Sequence, residues 1–387
     1  MFDKAITLGF LKALERVVYG TLTVVTPDGQ SHVFSGKEKG EAATFTIKDW
    51  KVIPILMKDG DIGLAETYRK GLWEADDLAA FMTIGLKNET ALDEYIYGNA
   101  FSRLMTKLSY FLFRRNTVKG SKRNIEAHYD LGNDFYKLWL DPSMTYSSAM
   151  FQQGSEALQH AQHNKYDRII ERLHPSGDVL EIGCGWGGFA ERALETRDYT
   201  IKGLTLSQEQ KRFADVRLNK GANIALQDYR HEDGQYDNIV SIEMFEAVGE
   251  QYWDSYFQKI AQSLKTQGRA MIQTITIDER YFESYRKGGD FIRTYIFPGG
   301  MLPSTERFVG VAKKAGLAVA DQFHFGQDYA KTLQHWLENF DAKISEVRAL
   351  GFDDAFIRIW RLYLAACIGS FRVGRTSVMQ AELRHAA

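Results

Sequence analysis

Val179-Leu180-Glu181-Ile182-Gly183-Cys184-Gly185-Trp186-Gly187-Gly188 decides the fold. The apolar run into Ile182 reads as a buried strand, and Gly183, Gly185 and Gly188 satisfy G-x-G-x-x-G where a helix would open. Glycine there lets backbone approach a nucleotide closely. That spacing alone admits a dinucleotide, but two features argue for S-adenosylmethionine. About 20 residues on, where an acid would bind the ribose diol of NAD, stand Gly203-Leu204-Thr205-Leu206-Ser207. Glu181 also lies within the strand, in the E-x-G-x-G order usual for S-adenosylmethionine methyltransferases. Cys184, inside the loop, reads as a small packing residue rather than a nucleophile.

Outward from this stretch, Tyr166, Ile169, Ile170 and Leu173 recur at i, i+3, i+4 and i+7 and predict a helix leading into the strand. Further strands are expected at Thr200 to Leu204, Ile224 to Leu226, Asn238 to Ile242 and Ala270 to Ile275, separated by helix-length segments. The alternation predicts an α/β chain with a doubly wound, Rossmann-like parallel sheet. Residues 1–90 read as a smaller α+β unit. Thr21 to Val24 alternates as a half-buried strand, Thr26-Pro27-Asp28-Gly29 turns, and His32 to Phe34 completes a hairpin. Thr44 to Ile47, Lys51 to Met57 and Ile62 to Ala65 read as further strands, the last two separated at Asp59-Gly60-Asp61. A helix start is expected at Trp73 to Leu78, with acids in its first turn. Phe356 to Phe371 predicts an amphipathic helix given to core packing.

The 387 residues carry 48 basic and 50 acidic side chains, a net charge of -2. That balance supplies no global field for nucleic acid, which is excluded as a partner on this ground. Cys184 and Cys367 are too few for a disulfide framework and lack zinc spacing, and His160 with His163 has no third ligand, so no metal is expected. A reducing, cytoplasmic interior is the expected compartment. Met1-Phe2-Asp3-Lys4 does not read as a secretory signal, and no apolar run approaches the roughly 18 residues that span a bilayer. Aromatics make up 13% of the chain; they can fill a core, line a tunnel or rest on a membrane. In the connector at 91–125, Tyr95, Tyr97, Phe101, Tyr110, Phe111 and Phe113 precede Arg114, Arg115, Lys119, Lys122 and Arg123, with no further acid until Glu126. This suits an anionic membrane surface, at about 1 kcal/mol per basic residue. The plain alternative is a packed helix followed by a solvated linker.

A series of motifs then occurs in order: His128-Tyr129-Asp130-Leu131-Gly132-Asn133-Asp134-Phe135-Tyr136, Tyr146-Ser147-Ser148-Ala149, Gly183 to Gly187, Gly203-Leu204-Thr205-Leu206-Ser207, Met244-Phe245-Glu246 and Tyr295-Ile296-Phe297-Pro298-Gly299-Gly300. With them the chain resembles the cyclopropane fatty acid synthase family, including the mycolic acid cyclopropane synthases, over residues 122–375. Ala65-Glu66-Thr67-Tyr68 and Gly71-Leu72-Trp73 resemble the N-terminal domain of the bacterial phospholipid-acting members. Residues 1–90 are therefore expected to be a lipid-associated domain, and 126–387 an S-adenosylmethionine-dependent methyltransferase domain. The resemblance implies methylene transfer from S-adenosylmethionine to the cis double bond of unsaturated phospholipid acyl chains, forming cyclopropane fatty acids. It also implies peripheral association with the bacterial inner membrane, and is compatible with a homodimer.

In that family a bound bicarbonate acts as general base, held by a Cys, a Glu, a His, an Ile backbone amide and a late Tyr. The matching positions are Ser148, Glu246, Gln273, Ile275 and Tyr329, so Ser replaces the Cys and Gln the His, and Ala247 follows Glu246 where the family has His. Ser and Gln still donate to an oxyanion, but a charged imidazolium is lost. Family positions for S-adenosylmethionine map to Tyr146, Ser147, Glu181, Gly183, Cys184, Gly185, Gly187, Thr205, Leu206 and Gln210, with Gln227 and Asp228 beside the adenine. The plain alternatives are a helix-capping Glu246 and a core Tyr329. Two other functions stay open. One is a lipid C-methyltransferase that makes methylene- or methyl-branched chains without closing a ring, motivated by Ser148 and Gln273. The other is a lipid-binding protein that has lost activity, against which the glycine loop and Glu246 argue.

Overall fold

The computed structural model describes residues 2–97 and 131–386. Phe101 to Arg123, which carry most of the aromatic and basic connector, and His128 to Asp130 of the first motif lie outside the described residues. The chain divides into two compact units, one drawn from residues 1–113, 284–298 and 333–375, the other from 114–283, 299–332 and 376–387.

The first unit is built on a four-stranded sheet of order β2-β1-β3-β4, from β1 (Tyr19–Val25), β2 (Ser31–Ser35), β3 (Glu38–Ile47) and β4 (Trp73–Ala75). β1 and β2 form the expected hairpin, with Gly29 N–H donating to Thr26 O at 2.8 Å. Two expectations fail here. Lys51 to Met57 and Ile62 to Ala65 are not strands but parts of the helix Val52–Arg69, whose buried Val52, Ile53, Leu56, Gly60, Gly63 and Thr67 recur at helical spacing. That period outweighs the β-preference of Val and Ile. The break at Asp59-Gly60-Asp61 survives as a kink, with Gly60 at φ 59 and ψ -135. Trp73 to Ala75 is likewise a strand, paired antiparallel with β3, and the helix Leu78–Lys87 starts only after Asp77, whose carboxylate caps Ala80 N–H at 2.8 Å. Phe45 anchors the core, its ring 5.3 Å from Trp73 and 4.9 Å from Phe81. The helix Asp354–Arg372 buries Ile357, Trp360, Leu364, Ile368 and Phe371, as its amphipathic pattern predicts.

The second unit holds a seven-stranded sheet of order β10-β11-β9-β8-β5-β6-β7. Its strands are β5 (Ser176–Ile182), β6 (Asp198–Thr205), β7 (Ala222–Leu226), β8 (Tyr236–Ile242), β9 (Leu264–Ile277), β10 (Leu317–His324) and β11 (Thr376–His385). β5 to β9 are the strands read from the sequence, and they run parallel. β11 runs antiparallel to both β9 and β10, so the all-parallel expectation needs one reversed strand. β10 and β11 escape the sequence reading because β10 is largely exposed and β11 buries Gln380 and Glu382 among its apolar residues. Tyr166, Ile169 and Ile170 of the helix Leu158–Arg172, with Leu173 capping its end, pack in one core with Val179, Ile201 and Val240. Register sets Ile242 beside Gln273 and Gln273 beside Gln380. The C-terminal ends of β5 to β8 share the edge where ligands bind in doubly wound sheets.

Candidate active site

A cavity opens at that edge. It encloses about 1160 Å³ including the solvent at its mouth, against roughly 300–1,000 Å³ for common ligand pockets. Tyr146, Ser147, Glu181, Gly183, Cys184 and Gly185 line it, as do Thr205, Leu206, Gln210, Gln227 and Asp228. Gly187 does not; a Cβ there would meet Ala214 and Leu218 at 3.2 Å, so its place is the helix packing behind the loop. Gly183 sits at φ 81, and a Cβ on it would fall 2.8 Å from Met244 Cγ, so only glycine lets the loop pass the end of β8 so closely. Cys184 is buried, and burial raises its thiol well above the usual range, consistent with packing rather than nucleophilic use.

One wall is acidic. Glu181 is buried, its Oε2 has no hydrogen-bond partner among the described residues, and burial pushes its carboxyl up to about 8 against the field of Lys165. An orphaned carboxylate on a cavity wall suits a cationic ligand. Lys165 is itself fully buried, its Nζ donating to Ser147 Oγ at 2.6 Å, and burial lowers its pKa against the attraction of Glu243, Asp141 and Glu181. Opposite, Thr205 Oγ1 donates to Gln210 Oε1 at 2.8 Å, so these two residues act as one polar pair. Asp228 is already paired with Arg230 at 2.6 Å, and Gln227 donates to Glu232 at 2.9 Å. Tyr146 belongs to an aromatic wall, its ring 5.6 Å from Tyr136 and 5.3 Å from Trp139.

The five residues expected around an anion come together in two clusters, and the first is centred on a residue the sequence reading overlooked. Glu243 Oε1 accepts from the Ser148 backbone N–H at 2.8 Å and from Gln273 Nε2 at 2.7 Å, and Oε2 accepts from the Tyr329 hydroxyl at 2.5 Å. Ser148 uses its hydroxyl elsewhere, donating to Ala149 O at 3.0 Å. Gln273 is oriented by Gln380, whose amide donates to Gln273 Oε1 at 3.0 Å, while Gln380 Oε1 accepts from Arg168 at 2.8 Å. In the second cluster Glu246 Oε1 accepts from Ile275 N–H and from Thr274 Oγ1, and Oε2 is buried without a partner among the described residues. Burial, then the charge of Glu243, pushes Glu246 up to about 8. Burial also raises Glu243, against the Tyr329 hydrogen bond and the field of Lys165. The missed signal was Ile242-Glu243-Met244-Phe245-Glu246: two acids three residues apart at a strand end. Phe245, expected near the site, is core instead, with Trp253, Tyr256, Phe257 and Phe308 at centroid distances of 4.9 to 5.7 Å.

Residues 116–381 match the family described as mycolic acid cyclopropane synthetase. The chain belongs to this family. It is 37% identical to the tuberculostearic acid methyltransferase of Mycobacterium tuberculosis over 84% of this chain and 78% of that protein. It is 34% identical to the cyclopropane-fatty-acyl-phospholipid synthase of Escherichia coli K12 over 85% of each. A crystal structure of a mycolic acid cyclopropane synthase complexed with SAH and CTAB superposes with a TM-score of 0.64 at 32% identity, covering 68% of this chain and 97% of that one. The seven-stranded sheet is thus the Rossmann-like sheet of S-adenosylmethionine-dependent methyltransferases, and the family's chemistry is methylene or methyl transfer to lipids. No helix among its described residues is long and apolar enough to cross a membrane.

Proposed function

We propose that this protein transfers a methylene from S-adenosylmethionine to the cis double bond of an unsaturated phospholipid acyl chain, closing a cyclopropane ring. The observation that carries this reading is one cavity whose lining runs from the glycine loop and Glu181, whose Oε2 has no partner among the described residues, to Glu243. Bound there, S-adenosylmethionine supplies an electrophilic methyl on a cationic sulfur. Glu181 would face its positive charge, the backbone of Gly183 and Gly185 would lie along its amino-acid end, and Thr205, Gln210, Gln227 and Asp228 would border its nucleoside. Tyr146, on the cavity lining, would offer its ring to positive charge developing on the alkene, at about 0.5–2 kcal/mol, held in place by Tyr136 and Trp139 packed against it. The buried carboxylate of Glu243, on the cavity lining, would oppose the same charge in a dry site, where a fixed anion is worth more than in water.

The Escherichia coli relative and the N-terminal unit, read as the lipid-associated domain, support this substrate class. Drawing an acyl chain from the bilayer into an apolar channel exchanges one hydrocarbon setting for another, about 0.8 kcal/mol per CH₂ each way, so no spanning helix is needed. Association with the inner membrane surface belongs to this reading, with the basic connector as its contact.

A second reading, a product with an exocyclic methylene and no ring, is favoured by Ser148 and Gln273, which differ from the ring-forming family pattern. Ring closure must outrun hydride migration next to the cation, so the speed of proton removal decides. Both products add one carbon and two hydrogens. Vesicles of cis-unsaturated phospholipid, incubated with methyl-labelled S-adenosylmethionine and extracted for proton NMR, separate them: upfield ring protons are expected, olefinic methylene signals would replace the first reading with the second, and unlabelled lipid would sink both.

A further inference from the structure

We infer that Glu243 is this protein's own catalytic base, standing where the family holds bicarbonate. The inference rests on the proposed one-carbon transfer and replaces its base.

The three groups that would grip an oxyanion at the end of β8 are the Ser148 N–H, the Gln273 amide and the Tyr329 hydroxyl, and all three donate to the Glu243 carboxylate. Ile275 N–H, expected as another donor, is taken by Glu246. Bicarbonate would have to displace a covalently tethered carboxylate from all three donors and then lie beside two glutamates in a buried site, where like charges disfavour it. The residues present therefore do not fit bicarbonate. The Gln273 substitution follows from the same arrangement. An imidazole there is not needed to hold a loose anion, whereas an amide whose Oε1 is fixed by Gln380 presents its NH₂ to Glu243.

The backbone is committed to this placement. Glu243 sits at φ 50, in the left-handed region that side-chain-bearing residues seldom adopt. Its N–H donates to Gln273 O at 2.8 Å, so main chain and side chain are both clamped to β9. Of the residues in this cluster it is Glu243 that also lines the cavity. Burial raises its proton affinity, and the field of Lys165 opposes that rise.

The step balances. A C–H bond of the newly added methyl breaks, its electron pair forms the closing C–C bond and quenches the carbocation on the neighbouring chain carbon, and the proton goes to Glu243 Oε, which returns it to solvent before the next turnover.

The test uses the full chain as wild type, Glu243→Gln and Glu243→Gly. Glycine accepts φ 50 without strain, so the second variant keeps the fold, as its melting curve would verify. Wild-type turnover is expected to be unchanged when carbon dioxide and bicarbonate are stripped from the buffer. Glu243→Gln is expected to lose about 100-fold or more. Glu243→Gly is expected to lose as much and to recover when bicarbonate or formate is added. Independently of activity, ¹³C-bicarbonate NMR should broaden with Glu243→Gly and not with wild type. Bicarbonate binding and bicarbonate-dependent turnover in the wild type, or full turnover by Glu243→Gln, would overturn the assignment. Absence of labelled lipid from every protein would instead bring down the proposed reaction, while the NMR arm still reports on Glu243.

Discussion

Glu181 and Glu246 carry the residue-scale consequences. Burial holds each at about 8 in the fold against 4.5 for a free glutamate. Between those values the native state binds protons that the unfolded chain has released, so stability is fully present at low pH and falls as pH rises toward 8. Each group contributes up to about 1.4 kcal/mol per pH unit across that window. Urea denaturation at pH 6 and pH 8.5 should show the fall, and Glu181→Gln or Glu246→Gln, which mimic the protonated acid, should each flatten it; an unaltered slope would mean that these groups ionise normally. A second expectation concerns Glu181 alone. A cation settling beside it favours its charged form, so S-adenosylmethionine binding at pH 7 should release a proton, read as different calorimetric enthalpies in buffers of different ionisation heat. Equal enthalpies would separate Glu181 from the ligand's charge. Much of this site was legible: the order of residues around Gly183, and Glu246, Gln273 and Tyr329, all pointed to the edge the fold builds. Glu243 was not legible, because its role comes from three donors on distant segments, Ser148, Gln273 and Tyr329, that no local pattern joins.

At the scale of elements, the apolar runs at Val179 to Ile182 and Ile239 to Ile242 announce buried parallel strands directly. Lys51 to Ala65 shows where that criterion fails: branched residues suggest strands, while the 3.6-residue spacing of the buried positions makes a helix. Gly60 reconciles the two, since φ 59 with ψ -135 interrupts the helix in a conformation reserved for glycine. Gly60→Ala should therefore destabilise the first unit by about 1–3 kcal/mol, measured by urea unfolding, although alanine is ordinarily the better helix former. Stabilisation instead would show that the kink relaxes at no cost. β11 was hidden for a different reason. Gln380 and Glu382 interrupt its apolar pattern, yet Gln380 is needed where it is, to orient Gln273.

On the scale of the whole molecule, neither unit is a continuous piece of chain. Residues 284–298 and 333–375 complete the unit that begins with the first hundred residues. A chain starting at residue 126 keeps the helix Asp354–Arg372 but loses the helix Leu78–Lys87, against which Gly369 packs so closely that a Cβ would lie 3.1 Å from Met82 Cβ. Such a truncation is expected to be insoluble, with Ile357, Trp360 and Phe371 uncovered; a soluble fragment with a cooperative melt would show that the second unit stands alone. The reversed strand β11 sets a further condition, on the order of events at the ribosome. It lies between β9 and β10 yet is translated after both. Until residues 376–385 emerge, each neighbour presents an open edge to solvent, with the hazard of mispairing that open edges bring. The nascent sheet therefore stays incomplete until that strand appears, and Gln380, delivered with it, reaches Gln273 only once the sheet has closed.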